Sequence, residues 1–150
     1  YIRVSRSATQ DIYDENMEFT LDKANVLGKG KDVLLVACGE MVPYAKEAME
    51  TLNAKGISTG LIDMYCIKPF DVNTLVELAK DVKLVVSIEE HAPQGGLGSA
   101  VAQALSSNCP KRLVEKNLPD EHLIPGENTE MFAYYGLDAK GIVKTVEESL

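Results

Sequence analysis

Histidine and cysteine are scarce, and what there is of each stands apart. Only His91 and His122 occur, with Cys38, Cys66 and Cys109. No CxxC or HxxxH spacing joins them, so no metal-ligand set is assigned. Three widely spaced cysteines, each in or beside an apolar segment, do not make a disulfide framework. They read as buried thiols in a reducing compartment, and the expected location is cytoplasmic. Positive charge is also in deficit: Lys and Arg number 15 against 23 Asp and Glu, a net charge of −8. No Lys/Arg run is long enough to follow a phosphate backbone, which argues against nucleic acid as a partner. The longest apolar runs, residues 33–38 and 84–88, are strand-length and fall short of the roughly 18 residues a membrane span needs. A signal peptide is lacking too, and so is an initiator Met, so Tyr1-Ile2-Arg3-Val4-Ser5 reads as a strand cut from a longer polypeptide.

What is present suits one globular domain. The 150 residues are 45% hydrophobic and 25% charged, enough apolar surface for a packed core without staples. After a polar, irregular stretch to Asn16, residues 19–27 alternate and end in Gly28-Lys29-Gly30-Lys31, a tight turn, which suggests an antiparallel edge strand. Residues 32–38 (DVLLVAC) are continuously apolar between turns, the pattern of a central strand covered on both faces. Residues 43–55 carry Ala45, Ala48, Met49 and Leu52 at helical spacing, with Gly56 just past the end. The unit repeats. Residues 58–64 predict a strand and 71–80 a helix capped by Asp71, with Leu75, Leu78 and Ala79 inward. Residues 83–89 predict a third strand, and 99–107 a helix with Val101, Ala102 and Leu105 inward. Residues 111–115 predict a shorter strand. Tyr134, Tyr135 and Gly136 read as a loop before a final helix, which Asp138 caps and Ile142, Val143 and Val146 anchor. Strands alternating with helices predict βαβ crossovers: an α/β three-layer sandwich whose sheet is mainly parallel, with helices on both faces.

In such sheets ligands meet the loops at the carboxyl ends of the strands. Those loops begin Cys38-Gly39-Glu40, Asp63-Met64-Tyr65-Cys66 and Glu89-Glu90-His91, the last running on to Gly95-Gly96-Leu97-Gly98. Gly96-Leu97-Gly98 before a helix has the outline of a phosphate turn. It completes neither G-x-G-x-x-G, since Val101 stands at the third glycine, nor G-K-[ST]. Glu89 and Glu90 would repel a phosphate, so close backbone packing at a turn or subunit contact is the better reading. His91 beside two carboxylates has the makings of a general acid or base; the plainer reading is a loop histidine at an interface. Glu89 and Glu90 alternate in direction, so at most one faces a given site, and solvated carboxylates are the default. Ser99 lacks the context of a hydrolase nucleophile. Pro69 forces Lys68 into an extended conformation and leaves it free to pair at an interface.

These segments together resemble the C-terminal domain of transketolases and their relatives. Tyr1 to Arg6 looks like the end of the preceding pyrimidine-binding domain. Lys23-Ala24-Asn25-Val26-Leu27 with Gly30-Lys31-Asp32-Val33 is similar to the lead-in. Ile62-Asp63-Met64 with Ile67-Lys68-Pro69-Phe70-Asp71 is similar to the second strand and its turn. Val86-Ser87-Ile88-Glu89-Glu90-His91 with Gly95-Gly96-Leu97-Gly98-Ser99-Ala100-Val101 is similar to the third strand and glycine turn.

The resemblance implies a five-stranded, mostly parallel sheet with one antiparallel strand. It implies residues 1–15 as the end of a preceding domain and linker, and 16–150 as the C-terminal domain. The parent enzyme would transfer a two-carbon ketol unit between sugar phosphates, holding thiamine diphosphate and Mg between pyrophosphate- and pyrimidine-binding domains of a homodimer. This domain would pack against those domains and add to the dimer contact without a cofactor of its own. No catalytic, cofactor-binding or metal-binding residue is assigned. Glu89, Glu90, His91, Gly95, Gly96, Gly98 and Lys68 are expected at an interface or near the assembled active site. Two alternatives stand beside this. One is the same domain of a 2-oxo acid dehydrogenase beta chain or deoxyxylulose phosphate synthase; the other is a free-standing regulatory module on a flavodoxin-like frame.

Overall fold

The computed structural model describes residues 1–5 and 8–150. The described residues form five strands and five helices: β1 (Asn25–Gly28), β2 (Val33–Ala37), α1 (Met41–Ala54), β3 (Thr59–Asp63), α2 (Val72–Ala79), β4 (Leu84–Ile88), α3 (Leu97–Asn108), β5 (Arg112–Lys116), α4 (Asn128–Tyr135) and α5 (Ala139–Ser149). The sheet order is β1-β3-β2-β4-β5, parallel except for β1 against β3. The α/β sandwich with one antiparallel strand is therefore as expected, and β2 is central.

Alternation along β2 divides the core. Val33, Leu35 and Ala37 face one layer, where Ala45, Met49 and Leu52 of α1, Phe132 of α4 and Ile142 and Val146 of α5 are buried. Leu34 and Val36 face the other, with Leu75 and Ala79 of α2 and Val101 and Leu105 of α3. Asp71 Oδ1 accepts the Thr74 amide at 3.1 Å and Asp138 Oδ1 the Gly141 amide at 2.8 Å, so both expected N-caps are in place. Pro43 lies in the first turn of α1, where its missing N–H costs nothing. Among the described residues no helix is long and apolar enough to cross a membrane.

Four expectations need correction. Residues 1–5 make no strand, because a strand needs a ladder partner and none of the five pairs with them; Tyr1, Ile2 and Val4 are exposed. Arg6 lies outside the described residues. The antiparallel edge strand is present but is only Asn25–Gly28, and it pairs with β3. Phe19 instead packs edge-on against Tyr13 and Tyr65, with ring centroids 5.2 and 5.0 Å away. Tyr134 and Tyr135 close helix α4, anchored by buried Phe132, and Gly136 ends it in the left-handed conformation at φ 68°. Finally, α3 turns its buried face through Ala104 beside Val101 and Leu105, leaving Ala102 half-buried.

Candidate functional site

The chain leaves β2 for β3 on one side, then crosses back over β2 to reach β4. The loops after β2 and β4 therefore diverge toward opposite faces at the carboxyl ends of neighbouring strands. Cys38, Gly39 and Glu40 leave β2 there, and Glu89, Glu90 and His91 leave β4.

Glu89 and Glu90 part company, as a period of two requires. Glu89 turns toward α3, where Oε2 accepts the Leu97 amide at 2.6 Å and Oε1 the Gly98 amide at 2.8 Å. Its residue is only 3% exposed, so the expectation of a solvated carboxylate is wrong for Glu89. The N-terminus of a helix presents unpaired N–H groups and a positive partial charge, and an ionised acid supplies both missing interactions. The glycines follow from this placement. A Cβ on Gly96 would enter the space of the Glu89 carboxylate, and one on Gly98 would lie 2.6 Å from Glu115 Oε2.

Glu90 turns the other way, toward the buried Glu40 at the start of α1. Burial first, and then Glu40, push the Glu90 carboxyl above its ordinary range, partly offset by Arg3. Arg3 pairs with Glu90 at 3.6 Å, and Asn128 Nδ2 donates to Glu40 Oε2 at 3.3 Å. This acid pair thus ties the N-terminal segment and α4 to the ends of β2 and β4.

His91 is exposed. Its Nδ1 lies 2.8 Å from the Ala92 carbonyl oxygen, which can only accept, so Nδ1 is the donor of that bond. The His91 carbonyl accepts the Leu118 amide at 3.0 Å. Ser99 Oγ accepts the Gly95 amide and donates to the Pro93 carbonyl, both at 3.0 Å, so its proton is engaged within the loop. Lys68 is exposed on the connection after β3, and β2 separates β3 from β4. The structure therefore gathers Glu89, Gly95, Gly96 and Gly98 around the start of α3, sends Glu90 to the opposite layer, and leaves Lys68 apart.

Sequence reasoning missed Glu40 and Asp63 as buried acids. Asp63, at the end of β3, is 5% exposed; burial raises its carboxyl pKa, against the pull of the Tyr13 hydroxyl 2.6 Å from Oδ2. Cys38 sits among these acids, and burial, with Glu89 and Asp63, pushes its thiol up to about 12. A carboxylate at the end of an unbroken apolar strand was the available signal. Among the described residues no three His, Cys, Asp or Glu side chains converge to hold a metal.

Fold and strand ends together define an α/β domain that buries its own carboxylates, Glu40, Asp63 and Glu89, at the carboxyl edge of its sheet. The family model for the transketolase C-terminal domain matches residues 22–142. An apulose-4-phosphate transketolase subunit of Phocaeicola vulgatus is 42% identical over 150 residues, covering 99% of this chain and 47% of that protein. A putative transketolase C-terminal section of Methanocaldococcus jannaschii is 37% identical over 153 residues, covering 100% of this chain and 48% of that protein. A solved split-gene transketolase, an inactive beta4 tetramer, superposes with a TM-score of 0.87 at 38% identity, over 95% of this chain and 47% of that one. The chain belongs to the transketolase C-terminal domain family. It spans about half the length of these relatives.

Proposed function

We propose that residues 16–150 are the C-terminal domain of a cytoplasmic transketolase-like enzyme, and that residues 1–15 belong to the end of a preceding pyrimidine-binding domain and its linker. The domain builds the enzyme: it packs against the pyrimidine- and pyrophosphate-binding domains and adds to a homodimer contact. The parent transfers a two-carbon ketol unit between sugar phosphates. Thiamine diphosphate with Mg, held elsewhere in the parent, supplies the electron sink for breaking the carbon–carbon bond.

One observation carries the cofactor-free reading. The Leu97 and Gly98 amides, the donors that a helix N-terminus would offer to a diphosphate, are taken by Glu89. The chain's net charge of −8 also opposes an anionic ligand. This chain's residues do not fit the cofactor, and no catalytic step is assigned to them. Exposed Tyr1, Ile2 and Val4 at the N-terminus, and Leu123, Ile124 and Tyr134 around α4, support assembly, since apolar side chains left open on one domain suit burial against another.

The test uses the full-length parent with its pyrophosphate-domain partner, assayed on xylulose 5-phosphate plus ribose 5-phosphate. Ketol transfer is expected; turnover of a 2-oxo acid with no reaction of sugar phosphates would reverse the choice. Titration calorimetry of this chain with thiamine diphosphate and Mg should show no binding. Micromolar affinity would end the cofactor-free reading.

A further inference from the structure

A single side chain pins both ends of the loop that carries His91. Glu89 is the first residue beyond β4, and its carboxylate holds the amides of Leu97 and Gly98, the first two residues of α3. The α3 N-cap, Gly96, offers no side chain to do this, and its missing Cβ is the space the carboxylate fills. Between the two ends, the chain is tied by Ser99 Oγ to Gly95 and Pro93, and by the Leu118 amide to the His91 carbonyl. Those ties are neutral; the one from Glu89 is charge-assisted, buried and aligned with the helix dipole.

We infer that Glu89 is a positioning residue: as an internal anion bound to the α3 N-terminus, it sets the conformation in which residues 90–96 present His91. It acts as a covalently attached ligand. Truncating it to Ala leaves two converging amides and a space beside Gly96 shaped for a small carboxylate, so a free carboxylate takes its place. This does not rest on the transketolase reading, since every group involved belongs to this chain.

The experiment compares the unaltered chain with Glu89→Ala by 1H–15N NMR and thermal unfolding. In Glu89→Ala the Leu97 and Gly98 amide resonances move upfield from their charge-assisted positions, and those of residues 91–95 and the His91 ring shift with them. Adding sodium formate or acetate returns these resonances toward their original positions saturably and raises the melting temperature of Glu89→Ala. Sodium chloride at matched ionic strength does neither, and the unaltered chain does not respond. Unmoved Leu97 and Gly98 resonances in Glu89→Ala, or displaced ones that no carboxylate restores, would overturn the inference. If Glu89→Ala does not fold, Glu89→Gln decides the matter, because it keeps the volume but only one acceptor oxygen. One of the two amide resonances then moves upfield while the other keeps its acceptor; both unmoved from their positions in the unaltered chain would refute the assignment.

Discussion

The Tyr13 hydroxyl donates to Asp63 Oδ2 at 2.6 Å, binding the segment before β1 to the end of β3 across 50 positions of sequence. Asp63 Oδ1 is buried with no hydrogen-bond partner among the described residues. Tyr13→Phe therefore strips the carboxylate of its side-chain donor, and a loss of about 1–3 kcal/mol is expected from urea unfolding. Since that hydroxyl holds the Asp63 pKa down against burial, the carboxyl should also titrate higher in the variant. Unchanged stability and unchanged titration would mean the contact is not formed in solution.

Gly96 and Gly98 should respond differently to the same methyl group. The Cβ of Gly96→Ala meets a carboxylate that is buried and held by two amides, so something in the loop must move, at a cost of about 1–3 kcal/mol. The Cβ of Gly98→Ala meets the tip of Glu115, an exposed side chain free to swing away, while helix propensity favours Ala by up to about 1 kcal/mol. Thermal melts should rank Gly96→Ala well below Gly98→Ala; equal losses would show that Glu89 is not fixed.

Glu90 makes stability depend on pH. Its carboxyl pKa is raised above the ordinary 4.5 by burial and by Glu40. Between 4.5 and the raised value, the folded chain keeps a proton that the unfolded chain has released, so stability falls as pH rises through that window. Glu90→Gln removes that proton exchange while keeping an amide to bond Glu40. It should flatten the decline in melting temperature from acid to neutral pH and raise the neutral value by a few degrees. A variant with the unaltered chain's pH profile would place the titration elsewhere.

Cys38 should be a poor nucleophile despite being only half-buried. With its thiol pushed up to about 12 from 9.0, the thiolate fraction at neutral pH falls on the order of a thousand-fold. Iodoacetamide at pH 8, followed by mass spectrometry, should leave Cys38 unmodified in the folded chain and label it after denaturation. Rapid native labelling would mean that the surrounding acids are solvated.

Much of the scaffold was legible because its signals are local. Residues 33–38 are apolar on both faces, and only a central strand buries both. Asp71 and Asp138 each precede a run of helical periodicity with an acceptor at the right offset, and each caps its helix. Helix α4 escaped because Phe132 is its only buried residue, too little for a periodic stripe, and its tyrosines gave no other helical cue.

The sequence by itself determined the alternation of strands and helices, the negative charge that opposes anionic ligands, and the opposite facing of Glu89 and Glu90. Each is a property of neighbouring residues or of composition. The tertiary structure alone decided that β1 lies against β3, that Glu90 meets Glu40 and Arg3, and that the glycine turn encloses a carboxylate instead of a phosphate. Strand partners and buried charges depend on which distant segments share a surface. For Glu89 that neighbour is the start of α3, whose unpaired amides make burial of a carboxylate favourable where the sequence alone suggested a solvated one.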